Sequence, residues 1–132
     1  MRIAVIGAGS MGSVLGGKLK RAGNDVILFD RDERHIAAIA RNGLTIADPT
    51  GDFAVAIAAT TRIGDISGVN LALVMVDGNA TAAVAPLLPA ILAETGIVLT
   101  LQNGIGNVEA LAAGLGPSRV LAGATFISAA ML

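Results

Sequence analysis

Short apolar runs alternate with amphipathic segments along the chain. Residues 2–6 form a β-branched apolar run, which predicts a strand buried on both faces. In residues 11–22 the apolar side chains recur at helical spacing and basic side chains gather at the carboxyl end, which favours a helix. Residues 26–29 predict a second buried strand, and residues 32–41 predict a second helix with Asp32 as its amino-terminal cap.

The pattern changes in the middle of the chain. Two short alternating runs, residues 44–46 and 53–57, flank the segment Asp-Pro-Thr-Gly-Asp at residues 48–52. A turn of this composition between two such runs predicts a small β-hairpin.

Buried strands return in the second half of the chain. Residues 69–76 predict a strand, followed by a short helix from about Asn79 that Pro86 and Pro89 limit or bend. Residues 96–101 predict another strand, followed by a short helix over residues 107–113. Residues 120–132 predict one or two further strands. Strands that alternate with helices are typical of a doubly wound α/β fold. We therefore predict one Rossmann-type domain spanning all 132 residues, with a mainly parallel sheet and a small hairpin insertion.

Hydrophobic residues make up 54% of the chain, and the mean hydropathy of +0.74 raises the question of a membrane protein. A spanning helix needs about 18 or more consecutive apolar residues, and no run reaches that length. The apolar amino-terminal region is interrupted by glycines and lacks the organisation of a signal peptide. We expect a soluble, cytoplasmic protein with no membrane partner.

Charge and composition exclude further classes of protein. The formal net charge is −1, and there is no tryptophan or tyrosine on which bases could stack, so we expect no nucleic-acid partner. With no cysteine and a single histidine, we expect no disulfide, no thiol chemistry and no metal site. A domain that binds or transforms a small molecule remains.

Residues 7–12, Gly-Ala-Gly-Ser-Met-Gly, form a G-x-G-x-x-G motif. The spacing alone is weak evidence in a chain with 17 glycines, and the alternative is a glycine-rich turn that binds nothing. Here the motif follows a buried strand, opens an amphipathic helix and precedes a second strand that ends at Asp30. The glycines would permit a tight turn and close approach of a pyrophosphate, which the amides of Ser10 and Met11 would bind. The context predicts a dinucleotide site.

Asp30 and Arg31 at the end of the second strand indicate opposite cofactors. A carboxylate at this position accepts hydrogen bonds from the ribose hydroxyls and repels a 2′-phosphate, which favours NAD. An arginine beside it can pair with that phosphate, which favours NADP. The residues alone leave the choice between the two cofactors open.

The segment Gln-Asn-Gly-Ile-Gly-Asn at residues 102–107 lies between a predicted strand and a predicted helix, where ligands bind in an open parallel sheet. Asn103 would offer its amide to the nicotinamide ribose or to a substrate. The alternative is a turn-forming Asn-Gly pair with Asn107 as the helix cap.

His35, the only imidazole, lies in a charged run, and we interpret it as a solvated helix residue.

Together these residues resemble the amino-terminal cofactor domain of the ketopantoate reductase (2-dehydropantoate 2-reductase) family. The resemblance covers essentially the whole chain, and the Gln-Asn-Gly-x-Gly-Asn segment is its most specific part. The segments that carry it are residues 2–12, Arg31, residues 71–76, residues 101–107 and residues 123–125.

The resemblance implies NADPH-dependent reduction of 2-dehydropantoate, a 2-oxo acid, to pantoate, a step of pantothenate biosynthesis. It implies that Arg31 holds the 2′-phosphate and that Asn103 also meets the substrate. The cofactor-binding residues predicted from the motifs and the resemblance are Gly7, Ala8, Gly9, Ser10, Met11, Gly12, Asp30, Arg31, Asn103 and Ala129.

The chain departs from the family pattern in two ways. Asp77 stands where the family usually has a lysine near the cofactor. Because Asp77 and Asp30 are both acidic, NAD(H) is a possible cofactor as well as NADP(H). From the resemblance we expect the helical carboxyl-terminal domain, which supplies the catalytic lysine in the family, to be absent from these 132 residues. We therefore expect no catalytic residue in this chain and little hydride transfer by it alone. The alternatives are the cofactor domain of another two-domain NAD(P)-dependent dehydrogenase and a non-catalytic NAD(P)-binding module.

Charge is distributed unevenly along the chain. Residues 66–132 carry only 4 of the 19 charged side chains. Part of this apolar excess is explained by buried strands, and the remainder predicts an exposed apolar patch around residues 100–132, where the missing domain would pack. We expect self-association of the isolated chain through this patch.

Overall fold

The computed structural model describes residues 1–102, 105–126 and 128–131. Its centre is a six-stranded sheet in the order β5-β2-β1-β6-β7-β8, in which all neighbouring strands are parallel, and β3 pairs with β4 in a separate antiparallel hairpin. The strands are β1 (Arg2–Ile6), β2 (Asp25–Phe29), β3 (Leu44–Ile46), β4 (Phe53–Val55), β5 (Ala58–Thr60), β6 (Val69–Val74), β7 (Leu92–Thr100) and β8 (Val120–Ala122). The predicted fold, a mainly parallel doubly wound sheet with a hairpin insertion, is confirmed.

Helices cover both faces of this sheet. The helices are α1 (Ser10–Arg21), α2 (Glu33–Asn42), α3 (Thr81–Val84), α4 (Leu88–Ile91) and α5 (Asn107–Leu115). The side chains of β1 alternate between two cores, with Ala4 and Ile6 in the core that includes residues of α3 to α5. Ile3 and Val5 point into the core formed with α1, α2 and the hairpin. The strand is therefore buried on both faces, as its apolar run predicts.

Local signals set the ends of α2. The Asp32 carboxylate accepts hydrogen bonds from the backbone N–H groups of Arg34 and His35 at 3.0 and 3.1 Å, which confirms its role as the cap. Gly43 follows the helix with a φ of +73°, a conformation that side chains with a Cβ rarely adopt.

The structure corrects one expectation about the strands. The run predicted over residues 53–57 ends at Val55, and Ala58–Thr60 forms a separate strand at the edge of the main sheet beside β2. The short helix expected from about Asn79 is a series of short α and 3-10 turns over residues 78–91, in which Pro86 and Pro89 limit each turn as predicted. Of the one or two strands predicted over residues 120–132, β8 is present, and the described residues after it form no further strand. Among the described residues, no helix is long and apolar enough to cross a membrane.

Candidate functional site

A cleft of about 240 Å³ lies at the carboxyl edge of the sheet, where the strand order reverses on either side of β1. Such a reversal is where open α/β sheets bind ligands. The cleft is bounded by the turn after β1, the end of β2 and the loop after β6. Its lining includes Gly7, Gly9, Asp30, Arg31, Val76 and Asp77.

The three glycines of the motif have three different surroundings. Gly7 has a φ of +105°, and a Cβ there would lie 2.7 Å from the backbone nitrogen of Val76. A Cβ on Gly12 would overlap the carbonyl oxygen of Gly7, so the helix and the turn touch through this glycine. A Cβ on Gly9 would meet nothing within 4 Å. Two glycines therefore allow the turn to close, and the third leaves open space at the cleft.

The amino terminus of α1 faces this open space. Gly9 precedes the helix and no side chain caps it. The first N–H groups of a helix have no partner within the helix and carry a partial positive charge, which favours an anion. Because α1 begins at Ser10, the amides of Ser10 and Met11 lie in its first turn, where the motif predicts the phosphate-binding N–H groups. The residues present fit the pyrophosphate of a dinucleotide.

The peptide groups of Ala8 are held by side chains on both sides. Its N–H donates to Asp30 Oδ2 at 2.8 Å, and its carbonyl oxygen accepts from Ser13 Oγ at 2.8 Å. His35 Nε2 also lies 2.6 Å from that carbonyl oxygen. The prediction of a solvated His35 is therefore wrong, because its half-buried ring points across to the turn after β1. The sequence carries no signal for this contact, which joins residues 27 positions apart.

Asp30 and Arg31 differ in what they contact. The second carboxylate oxygen of Asp30 accepts from the backbone N–H of Asp32 at 3.0 Å, so both oxygens are engaged with backbone groups. Arg31 is exposed at the cleft, and no ion pair joins it to another described residue. Asp77 is also exposed and lines the cleft. The cleft therefore presents one guanidinium and two carboxylates.

A partly buried polar network, which the sequence did not predict, joins the loop after β7 to the loop after β6. The Gln102 amide nitrogen donates to the carbonyl oxygen of Val76 and, at 2.8 Å, to the hydroxyl of Thr81. Thr100 donates to the Gln102 amide oxygen at 2.9 Å, and Thr81 donates to the Asn107 amide oxygen at 3.1 Å. Polar residues at strand ends and in short helices are common, so their positions in the sequence do not predict a hydrogen-bond network.

Two of the predicted positions in this loop have different outcomes. Asn103 lies outside the described residues, so its predicted contacts stay predictions. The alternative with Asn107 as the helix cap is wrong, because Gly106 precedes α5 and Asn107 is its first residue, with its side chain turned toward Thr81.

Ala129 lines a second, larger cleft of about 840 Å³ together with Ser10 and His35, and it is not among the residues that line the first. This second cleft is bounded by α1, the hairpin and the carboxyl-terminal segment. Lys18 forms an ion pair there with Asp48 of the hairpin. The Lys18 ammonium and the hydrogen bonds from Thr50 hold the pKa of the Asp48 carboxyl well below its usual range. Lys18 thus fastens α1 to the hairpin.

The comparisons with known proteins identify the family. Residues 3–132 match the family model described as ketopantoate reductase PanE/ApbA. The chain belongs to the ketopantoate reductase family. It is 34% identical to a 2-dehydropantoate 2-reductase of Halobacterium salinarum over 131 residues, which is 98% of this chain and 43% of that relative. The family is one of NAD(P)-dependent oxidoreductases.

Solved structures agree with this assignment. The crystal structure of 2-dehydropantoate 2-reductase from Geobacter metallireducens GS-15 matches with a TM-score of 0.88 and 36% identity, over 97% of this chain and 42% of that one. A ternary structure of D-mandelate dehydrogenase with NADH and anilino(oxo)acetate shares the fold, with a TM-score of 0.87 and 24% identity over 97% of this chain and 41% of that one. The chain spans less than half the length of these relatives.

Proposed function

We propose that this chain is the NADP(H)-binding domain of an oxidoreductase that reduces 2-dehydropantoate to pantoate by hydride transfer. The observation that carries the proposal is the open space at Gly9, which lies at the amino terminus of α1 and in the same cleft as Arg31. A phosphate group can approach the backbone there without meeting a side chain. Membership of the ketopantoate reductase family supports the reaction class.

The turn after β1 and the start of α1 would hold the pyrophosphate through backbone N–H groups and the partial charge of the helix. Arg31 would pair with the 2′-phosphate of NADPH, since its guanidinium is exposed at the cleft and suits bidentate binding of phosphate. Asp30 also lines this cleft, and both of its carboxylate oxygens accept hydrogen bonds from backbone N–H groups. The family resemblance alone assigns Asn103 to the junction of cofactor and substrate and Ala129 to a backbone contact with the cofactor.

Bound NADPH would supply the hydride, and the protein's part would be to orient the nicotinamide and to polarise the carbonyl of the substrate. Reduction of a carbonyl also requires a proton donor. No lysine or histidine is among the described residues that line the first cleft. We therefore assign proton donation and most of the substrate contacts to a helical carboxyl-terminal domain, which the greater length of the relatives supports.

Exposed apolar side chains support the presence of that second domain. Ile105 and Phe126 are fully exposed, and Val108, Leu121 and Met131 expose more than a third of their surface. Large exposed apolar side chains favour an interaction surface. A second domain would cover some of these side chains, and the isolated chain would self-associate through them.

Calorimetric titration of this chain with NADPH and with NADH tests the cofactor proposal. We expect NADPH to bind with the lower dissociation constant, and absence of binding of either cofactor at millimolar concentration would contradict the proposal. The reaction is tested with a chimaera that joins this chain to the remaining part of the Geobacter relative. Turnover of 2-dehydropantoate in preference to hydroxyacids or glycerol phosphate is expected, and the reverse preference would favour another dehydrogenase.

A further inference from the structure

The Ala8 peptide lies at the centre of the turn that would hold the cofactor phosphates. Ala8 is fully buried, so its N–H and carbonyl groups cannot be satisfied by bulk water. Backbone groups of the turn itself do not satisfy them either. Three side chains from three different elements do so instead, namely Asp30 after β2, Ser13 on α1 and His35 on α2.

The contacts fix which atoms donate. A carbonyl oxygen can only accept, so the proton of the His35 ring must be on Nε2 to bond the Ala8 carbonyl at 2.6 Å. Ser13 Oγ donates to the same oxygen at 2.8 Å, which occupies its second lone pair. His35 Nε2 and Ser13 Oγ are 3.5 Å apart. Because both donate to the Ala8 carbonyl oxygen, each supports this oxygen independently of the other.

Asp30 links the same turn to the start of α2. One of its oxygens accepts from Ala8 at 2.8 Å and the other accepts from Asp32 at 3.0 Å. Asp32 is itself the cap of α2, the helix that carries His35. The Ala8 peptide is thus connected to α2 through its N–H by way of Asp30 and through its carbonyl by way of His35.

We propose that Asp30 and His35 are positioning residues that fix the Ala8 peptide of the cofactor turn, and that Asp30 does not select between cofactors. Each carboxylate oxygen of Asp30 accepts a hydrogen bond from a backbone N–H group, whereas the guanidinium of Arg31 is exposed at the cleft, so we assign selectivity for the 2′-phosphate to Arg31. This proposal rests on the proposed dinucleotide-binding function for its selectivity part. The hydrogen bonds to Ala8 can be tested without any cofactor.

The first experiment follows hydrogen exchange of the Ala8 amide by NMR in the chain without ligand. We expect Asp30→Ala to speed exchange by at least about tenfold, because the amide loses a charged acceptor. Asp30→Asn, which keeps one acceptor oxygen, should give intermediate protection and remains informative if the alanine variant unfolds. Glu33→Gln removes a nearby exposed carboxylate and serves as the control for charge. Equal exchange in the Asp30 variants and the control would overturn the proposal.

The tautomer of His35 gives an independent reading. Since the chain contains one histidine, its ring nitrogens give a single set of signals in a ¹⁵N–¹H correlation spectrum. In mildly alkaline solution the proton is expected on Nε2. A proton found on Nδ1 would contradict the contact with Ala8.

The second experiment compares dissociation constants for NADPH and NADH in the same variants. If Asp30 positions the turn, Asp30→Ala weakens both cofactors by about tenfold and changes their ratio by less than about threefold. His35→Ala should do the same, and His35→Gln should recover part of the affinity because its amide nitrogen can donate to Ala8. If Asp30 instead binds the ribose, its loss weakens NADH alone and shifts the ratio toward NADPH, which overturns the proposal. Absence of binding in the unmodified chain would contradict the proposed function, while the exchange measurement would still decide the role of Asp30.

Discussion

At the scale of single residues, the glycines of the cofactor turn separate folding from binding. Gly12 is required by contact with the Gly7 carbonyl, whereas Gly9 has open space around its Cα. The same substitution at the two positions therefore has different physical consequences. At Gly12 an added methyl group meets the protein, and at Gly9 it would meet only a ligand.

We expect Gly9→Ala to fold with nearly the thermal stability of the unmodified chain and to bind NADPH at least about tenfold more weakly, since a Cβ would displace the pyrophosphate. Gly12→Ala should lower the melting temperature and abolish binding. Circular dichroism melts and calorimetric titration measure the two effects. Gly64→Ala is a matched control, because a Cβ there also meets nothing within 4 Å and Gly64 does not line the cleft. Loss of stability in Gly9→Ala would contradict the assignment.

The exposed guanidinium of Arg31 is expected to act on one cofactor only. Arg31→Gln should weaken NADPH by about tenfold or more and leave NADH nearly unchanged, because only NADPH carries the 2′-phosphate. Arg34→Gln removes the same charge from an exposed side chain on α2 and should alter neither affinity by more than about twofold. Titrations at two salt concentrations check this, and an equal loss for both cofactors would show that Arg31 acts only through general charge.

At the scale of elements, the sequence predicts features that depend on neighbouring residues, but it does not predict which distant segments pair with each other. The apolar run of β1, the cap of α2 and the turn of the hairpin each depend on neighbouring residues, and each was predicted. Strand β5 is three residues long and follows the hairpin closely, so only its pairing with β2 makes it a strand. The contact of His35 with Ala8 and the Gln102 network likewise join distant segments, which no periodicity encodes.

The Gln102 network is expected to stabilise the junction between the loop after β6 and α5. Thr81→Val keeps the shape of a side chain that is 1% exposed but removes a donor to Asn107 and an acceptor for Gln102. We expect unfolding free energy to fall by about 1–3 kcal/mol, because buried polar partners lose their hydrogen bonds. Thr95→Val, at an exposed position of β7, is the control. Urea denaturation measures both, and equal values for the two variants would argue against the network.

The ion pair between α1 and the hairpin makes the stability of the fold depend on pH. Since Lys18 lowers the folded-state pKa of Asp48 below the value of about 3.9 in an unfolded chain, the ionised carboxylate stabilises the fold above about pH 4. This contribution is lost as the pH falls through the folded-state pKa. The difference in melting temperature between the unmodified chain and Asp48→Asn should therefore narrow below about pH 4. Lys18→Met should show the same change, and a difference independent of pH would contradict the coupling.

At the scale of the whole molecule, the carboxyl-terminal half leaves apolar side chains exposed while the amino-terminal half carries most of the charge. Composition predicted exposed apolar side chains around residues 100–132, and the structure exposes Ile105, Leu121 and Phe126. Composition could not tell which residues lie on the surface, because that depends on which helix faces pack on the sheet. The proposed second domain would give these side chains a partner.

We expect the isolated chain to sediment as a mixture of monomer and larger species whose proportion rises with concentration. Replacing Ile105 and Phe126 together by serine should shift the population to monomer without lowering the melting temperature, because both side chains are fully exposed. Leu87→Ser, at an exposed apolar position outside residues 100–131, is the control and should leave association unchanged. A monomeric unmodified chain at all concentrations would contradict the proposed self-association.

The position of β1 at the middle of the sheet has a consequence for synthesis on the ribosome. The strand is made first, and it pairs with β2 once Asp25–Phe29 has emerged. Its other edge has no partner until Val69–Val74 is made, so an apolar strand edge stays open while some 60 residues are added. Pairings of this sequence separation are slow to form. Residues 1–65 carry 15 of the 19 charged residues of the chain. This is the part of the chain that must stay soluble during that interval, and its charge helps it to do so.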